Sequence, residues 1–140
     1  AQAIGVELAE ILSRATLALV YGNAGRAEEG LSLLAEALDA SRRTGECVYD
    51  AEIHRVKGEL LLAQESDAEP CFRRAIEIAR KQSARSWELR ATTSLCRLWH
   101  KQGKRRKARR ELAAIYDWFT EGFDTADLRE ARELLEELAR

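Results

Sequence analysis

The chain has 140 residues, 46% of them apolar and 34% charged, the size and balance of one water-soluble globular domain that can bury a single core. Its 24 acidic and 23 basic residues leave a formal charge of -1, which excludes a global attraction to nucleic acid or to an anionic membrane and confines any such binding to local patches. No apolar run reaches the ~20 residues of a bilayer span, and the amino end lacks a basic flank followed by an apolar stretch, so a cytoplasmic protein without a membrane partner is expected.

Ala1, Gln2 and Ala3 open the chain without a methionine, as a piece of a longer polypeptide would, which is the expectation, or as would a chain whose methionine before Ala1 has been removed. Glycine or polar breaks at Gly22 to Gly25, Gly45, Glu65 to Asp67, near Ser83, at Gly103 and at Gly122 separate segments that all carry apolar residues at helical spacing. Seven helices are predicted. The first, near 4–21, places Ile4, Leu8, Ile11, Leu12, Ala15, Ala18 and Leu19 on one stripe. The second, near 25–43, uses Ala27, Leu31, Leu34, Ala35 and Leu38; the third, near 47–64, uses Ile53, Val56, Leu60 and Leu61. The fourth, near 67–82, buries Phe72, Ala75, Ile76 and Ala79, with Pro70 in its first turn, where a missing N–H costs little, and Ser66 and Glu69 at capping-box spacing. Trp87, Ala91, Leu95, Leu98 and Trp99 mark the fifth helix, Ala108, Leu112, Ile115, Tyr116 and Phe119 the sixth, and Leu128, Ala131, Leu135 and Leu138 the seventh, N-capped by Asp124 or Thr125. Connections of about 2 to 5 residues force neighbouring helices antiparallel, so the chain is expected to be all-α, a stack of helical hairpins.

The stack is internally repetitive. Ala27, Ala68 and Ala108 stand 41 and 40 residues apart, each leading a second helix with a large apolar residue four positions on and an apolar one seven positions on: Leu31 and Leu34, Phe72 and Ala75, Leu112 and Ile115. The preceding helices align as Ile11, Ala15, Ala18; then His54, Gly58, Leu61; then Thr92, Leu95, Cys96, Trp99. This pattern resembles the tetratricopeptide repeat: large apolar, Leu with a small residue, an aromatic, then Ala and an aromatic in the partner helix. The third copy keeps Leu95, Cys96, Trp99, Gly103 and Ala108 at the family's spacings, and the period of about 40 points to its longer-helix variants. The resemblance implies a right-handed superhelix of three repeats, about 4–44, 47–83 and 86–120, with a capping helix at 125–139, all in one domain over 1–140.

A narrower likeness rests on Ala51 with Lys57, Gly58, Glu59, Leu60 and Leu61, on Ser86, Trp87, Glu88, Leu89, Arg90 and Ala91, and on the ending Trp118, Phe119, Thr120, Glu121, Gly122, Phe123, Asp124 and Thr125. Over roughly 45–138 the chain resembles the carboxyl-terminal, tetratricopeptide-like region of large bacterial signalling ATPases, which often accompanies class III nucleotide cyclase or DNA-binding domains. The resemblance implies a non-catalytic regulatory or interaction module, with the nucleotide chemistry in the parent polypeptide.

The residues themselves supply no chemistry. The glycine cluster at 22–25 follows a helix and lacks the lysine and hydroxyl of a phosphate loop, and His54 and His100 stand alone in different repeats, so no cofactor and no metal is expected. Cys47, Cys71 and Cys96 have neither zinc nor disulfide spacing and are expected to be small buried hydrophobes. The basic run Lys101, Lys104, Arg105, Arg106, Lys107, Arg109 and Arg110 could release counterions from a nucleic-acid backbone, which makes polyanion binding the alternative function. It lacks interleaved aromatics and precedes an acidic segment, and it reads first as solvated surface or acidic-protein contact, with nucleic acid not expected as the partner.

Binding is expected on the inner face, which the first helix of each hairpin lines. Arg90, Thr93, Arg97 and Lys101 form a cationic strip on the fifth helix suited to a carboxylate or acidic peptide, and Glu52, Arg55 and Glu59 form a similar exposed strip on the third. The expected partner is a protein or peptide, or the upstream domains of the same polypeptide. Trp87, Trp99, Tyr116, Trp118, Phe119 and Phe123 are expected to pack the last seam, and Leu17, Leu19 and Val20 to give the first helix an apolar face through which the chain could form a homodimer.

Overall fold

A computed structural model describes the backbone of residues 2–140 and the side chains of residues 7–140. Ile4, placed on the first stripe by its spacing, lies outside the residues whose side chains are described. The chain forms seven α-helices: α1 (Gln2–Asn23), α2 (Ala27–Thr44), α3 (Asp50–Ala63), α4 (Glu69–Lys81), α5 (Arg85–Lys101), α6 (Arg105–Tyr116) and α7 (Ala126–Ala139). No strand occurs among the described residues, and the fold is the all-α helical repeat that the apolar periodicity predicts.

Helices α1 and α2, α3 and α4, and α5 and α6 pack as hairpins, while α7 closes the stack against α5 and α6. Successive odd helices also touch, α1 with α3, α3 with α5 and α5 with α7, whereas the even helices do not meet one another. A stack whose odd layer is packed more closely than its even layer must curve, and the odd helices then line the inner side. Two apolar clusters fill it, one around Ile11, Leu34, Ile53 and Leu60, the other around Phe72, Leu95, Trp99 and Leu112.

Close approach rests on small side chains. A Cβ on Gly30 would stand 2.7 Å from the Ala18 carbonyl oxygen and 2.5 Å from Leu60 Cδ2, and one on Gly58 would stand 2.5 Å from Cε1 of the fully buried Phe72. Ala27, Ala68 and Ala108, the repeat markers, are all buried.

One turn recurs at four helix ends. Gly25, Glu65, Ser83 and Gly103 take left-handed backbones with φ of 79°, 59°, 53° and 79°. The N–H of each following residue reaches back to a carbonyl five positions earlier, Arg26 to Tyr21 and Ser66 to Leu61 at 2.8 Å, Ala84 to Ala79 at 2.9 Å and Lys104 to Trp99 at 2.8 Å. These bonds satisfy helix-end carbonyls that would otherwise be orphaned.

Several local expectations are corrected. Ala35 is exposed, and Ala37 and Ala40 fill the α2 face instead, because the buried arc of α2 runs through positions three apart from Leu34. Ser66 does not cap α4; it donates its N–H in the turn just described, and Asp67 Oδ1 accepts from the Glu69 N–H at 3.2 Å. The connection over residues 117–125 is longer than the expected 2 to 5. Trp118 and Phe123 within it are 56% and 40% exposed, and Trp87 packs edge-on to Tyr49, at 6.1 Å between centroids, instead of in the last seam. Of the cysteines only Cys96 is fully buried; its thiol donates to the Ala108 carbonyl, and burial with the Glu111 charge pushes it up to about 12, leaving an inert packing group. Cys71 is half-buried and Cys47 exposed. Thr125 caps α7 as expected, its Oγ1 accepting from the Leu128 N–H at 3.5 Å.

Two stability changes of opposite sign to the usual rules are expected in urea unfolding. Gly30→Ala should be destabilising, because overpacking costs of about 1–3 kcal/mol outweigh the ~1 kcal/mol of helix propensity gained; a raised midpoint would refute the close approach. Glu65→Gly and Ser83→Gly should each stabilise by about 0.5 kcal/mol, the relief of a left-handed side chain exceeding the entropy of the added glycine.

Candidate functional site

The odd helices carry their polar inner residues at three- and four-residue spacings, which align them on one face of each helix. On α3, Arg55 Nε and Nη2 donate to the two Glu52 oxygens at 2.6 and 3.0 Å, and its Nη1 lies 3.8 Å from Glu59. On α5, Arg90 Nη1 meets Glu52 at 3.0 Å and its Nε lies 3.6 Å from Asp127 of α7. Arg97 meets Glu130 of α7 at 3.2 Å, and His100 Nδ1 stands 3.9 Å from Glu137. The inner layer is thus crossed by a ladder of charge, helix to helix.

The ladder changes character along its length. Side-chain exposure is 8% for Glu52 and 10% for Arg55 but 47% for Arg97 and 53% for Glu130, so one end is a buried cluster and the other an exposed pair. The expectation of open strips is corrected accordingly: Glu52, Arg55 and Thr93 are buried, Glu59 and Arg90 half-buried, and only Arg97 and Lys101 fully exposed. These side chains lie where α3 and α5 meet, with Arg90 of α5 reaching Glu52 and Arg55 reaching Ser94, while Thr93 Oγ1 donates to the Leu89 carbonyl of its own helix at 2.8 Å. Burial disfavours the Arg55 cation, yet its bonds to Glu52 and the charges of Glu52, Glu59 and Asp127 raise its pKa above the ordinary guanidinium value. Burial raises the Asp127 carboxyl, and Arg90 pulls it partly back.

The cavities follow the same gradient. Beside Arg55, Arg90 and Thr93 only about 40 Å³ is enclosed, whereas about 250 Å³ lies open between α5 and α7 at Arg97, His100, Lys101, Glu130 and Glu133. The wider end has room for a side chain and presents both signs of charge to it.

Asp127, Glu130 and Glu137 join this ladder, although the sequence marks them only as part of the acidic segment that follows the basic run. Their signal was positional: α7 occupies the place of a first helix in a fourth hairpin, so its inner residues must face α5. The basic run divides. Arg105 donates to the Glu137 carbonyl at 3.2 Å, the Lys107 ammonium lies 4.4 Å from the Trp99 ring centroid, and Lys101, Lys104, Arg106, Arg109 and Arg110 face solvent.

Among the described residues no cluster of three His, Cys, Asp or Glu could hold a metal, and no helix is long and apolar enough to cross a membrane. His54 sits half-buried on α3, its pKa lowered by burial and by the nearby Arg74 and Lys57 charges.

The gradient predicts unequal costs. Glu52→Ala, which strands two guanidinium groups in the closed end, should cost about 3 kcal/mol in urea unfolding, the loss typical of breaking a buried pair. Glu130→Ala at the open end should cost at most about 0.5 kcal/mol; equal costs would show that the two ends do not differ.

The tetratricopeptide repeat family matches residues 7–81, more than half of the chain and the whole of the α2, α3 and α4 helices. No curated protein and no solved structure matches the chain. Such repeats generally mediate protein–protein interaction and are typically non-catalytic scaffolds. With the matched segment continuous in architecture with α5, α6 and α7, the chain belongs to the tetratricopeptide repeat family.

Proposed function

We propose that the chain is a non-catalytic interaction module of a larger cytoplasmic signalling protein, receiving a protein or peptide, or an upstream part of its own polypeptide, on the inner face. The resemblance of residues 45–138 to the carboxyl-terminal region of bacterial signalling ATPases supports a sensing role there, as one domain of three hairpins and a cap. The single observation that carries the binding reading is the open end of the charge ladder, where Arg97, Lys101 and half-buried His100 stand around about 250 Å³ of accessible space.

The closed end has a different task. Glu52, Arg55 and Arg90 tie α3 to α5, and Asp127 extends the tie to α7, so the layer shifts as a unit. A ligand carboxylate at the open end competes with Glu130 for Arg97, and exchange of one exposed pair for another costs little. Binding is thereby coupled to the position of α7, the helix through which a signal would leave the stack. Leu17 and Val20 of α1, 45% and 57% exposed, support a homodimer through that helix.

Capture from a bacterial lysate with the immobilised chain tests this reading. The Arg97→Glu, Lys101→Glu double variant should retain roughly a tenth or less of a specifically bound protein, with its thermal midpoint within about 2 °C of the parent. Equal capture by parent and variant, in nuclease-treated lysate, would remove the inner face as the binding surface.

A further inference from the structure

The outer side of the stack holds a second surface of different chemistry. Because α4 and α6 do not touch, a groove of about 240 Å³ lies between them, floored by Leu95 and Trp99 of α5 and walled by Ile76 of α4 and Glu111 of α6. The indole of Trp99 is held from below, its Nε1 donating to Glu69 at 3.0 Å. The Arg73 guanidinium lies 5.3 Å and the Lys107 ammonium 4.4 Å from the ring centroid, and with these side chains in place only 1% of Trp99 reaches solvent.

The two helices that flank this groove are strongly basic, although its own lining sets Glu77 and Glu111 beside Arg73, Arg80 and Lys81. Helices α4 and α6 together carry nine cations against three carboxylates, a net +6 in a chain whose total is -1. The α4 cations are largely matched within the fold: Arg73 pairs with Glu69, Arg80 with Glu88, and Arg74 and Lys81 with Glu77. The five cations of α6 form no ion pair among the described residues, and Arg110 lies one position from the groove wall. Glu111 is half-buried in the groove lining.

We propose that this groove is a docking surface for an acidic peptide segment bearing one aromatic anchor with a hydrogen-bond donor, tyrosine before leucine. The anchor displaces the Lys107 ammonium from the Trp99 face, its hydroxyl meets Glu111, and flanking carboxylates pair with the α6 cations. Three features favour a peptide over a nucleic acid. The groove offers a single apolar floor and no row of stacking aromatics, Glu77 and Glu111 interrupt the track a phosphate backbone would follow, and the cations cluster at one end of α6. The surface is on the side opposite the charge ladder and is independent of it.

Fluorescence anisotropy with a labelled peptide of alternating glutamate and serine around one central tyrosine tests the assignment. Saturable binding is expected, weakened at least about tenfold when the tyrosine is replaced by alanine or when the protein carries Lys81→Glu with Arg110→Glu, and unchanged by Arg97→Glu on the inner face. Both altered side chains are exposed, and helical circular dichroism identical to the parent's verifies the fold. Equal binding of the alanine peptide, binding of oligodeoxythymidine as tight as that of the tyrosine peptide, loss through Arg97→Glu, or the absence of saturable binding would each overturn it.

Discussion

The unequal spacing of the two helical layers governs the rest of this molecule. Small side chains set it: with Gly30 against the Ala18 carbonyl and Gly58 against Phe72, each second helix is drawn tightly onto its first, and the first helices are left to pack on one another. Even helices then splay, because α4 and α6 each rest on α5 without meeting. The same inequality that closes the inner face over Glu52 and Arg55 opens the outer groove over Trp99. Two surfaces of opposite character therefore come from one packing rule.

On the inner face, burial decides what an ion pair does. A charge removed from water is stabilising only while every partner is present, so Glu52, holding Arg55 and Arg90 at once, acts as a constraint on geometry more than as a source of stability. Arg97 and Glu130 lie far enough into solvent that their attraction is weak and exchangeable. A ladder graded in this way combines a rigid end with a labile one, which is what a module needs if it is to hold its shape and still respond at α7.

Much of the fold was legible because helix periodicity and breaks are local signals. Ile11, Ala15 and Ala18 on α1, or Phe72, Ala75, Ile76 and Ala79 on α4, fall on their buried faces by spacing alone, and the turns at Gly25 and Gly103 show the residue that a left-handed backbone favours. Glu65 and Ser83 take the same conformation without that signature, and only their place between two apolar stripes marks the turn. The signature residues are densest in the third hairpin, yet the family match falls on α1 to α4; a pattern of a few key positions and a profile summed over many positions weigh different parts of one chain. The candidate site was less legible. Charge spacing along α3 and α5 places these residues on one helix face, but whether Glu52 or Thr93 is open depends on the neighbouring helix, and pairs such as Arg90 with Asp127 span 37 positions that no local pattern connects.

Net charge conceals the most directional property of the chain. Helix α6 carries five cations against one carboxylate and α7 five carboxylates against two cations, side by side at the end of the stack. Had the two helices paired their charges, the end would be neutral and indifferent to the charge of a neighbour. Instead α7 turns Asp127 and Glu130 to Arg90 and Arg97 of the inner layer and Glu137 to His100, and the α6 cations, facing outward, are left without carboxylate partners among the described residues. The α6 cations are therefore open to solvent and to any acidic group that approaches from outside the stack.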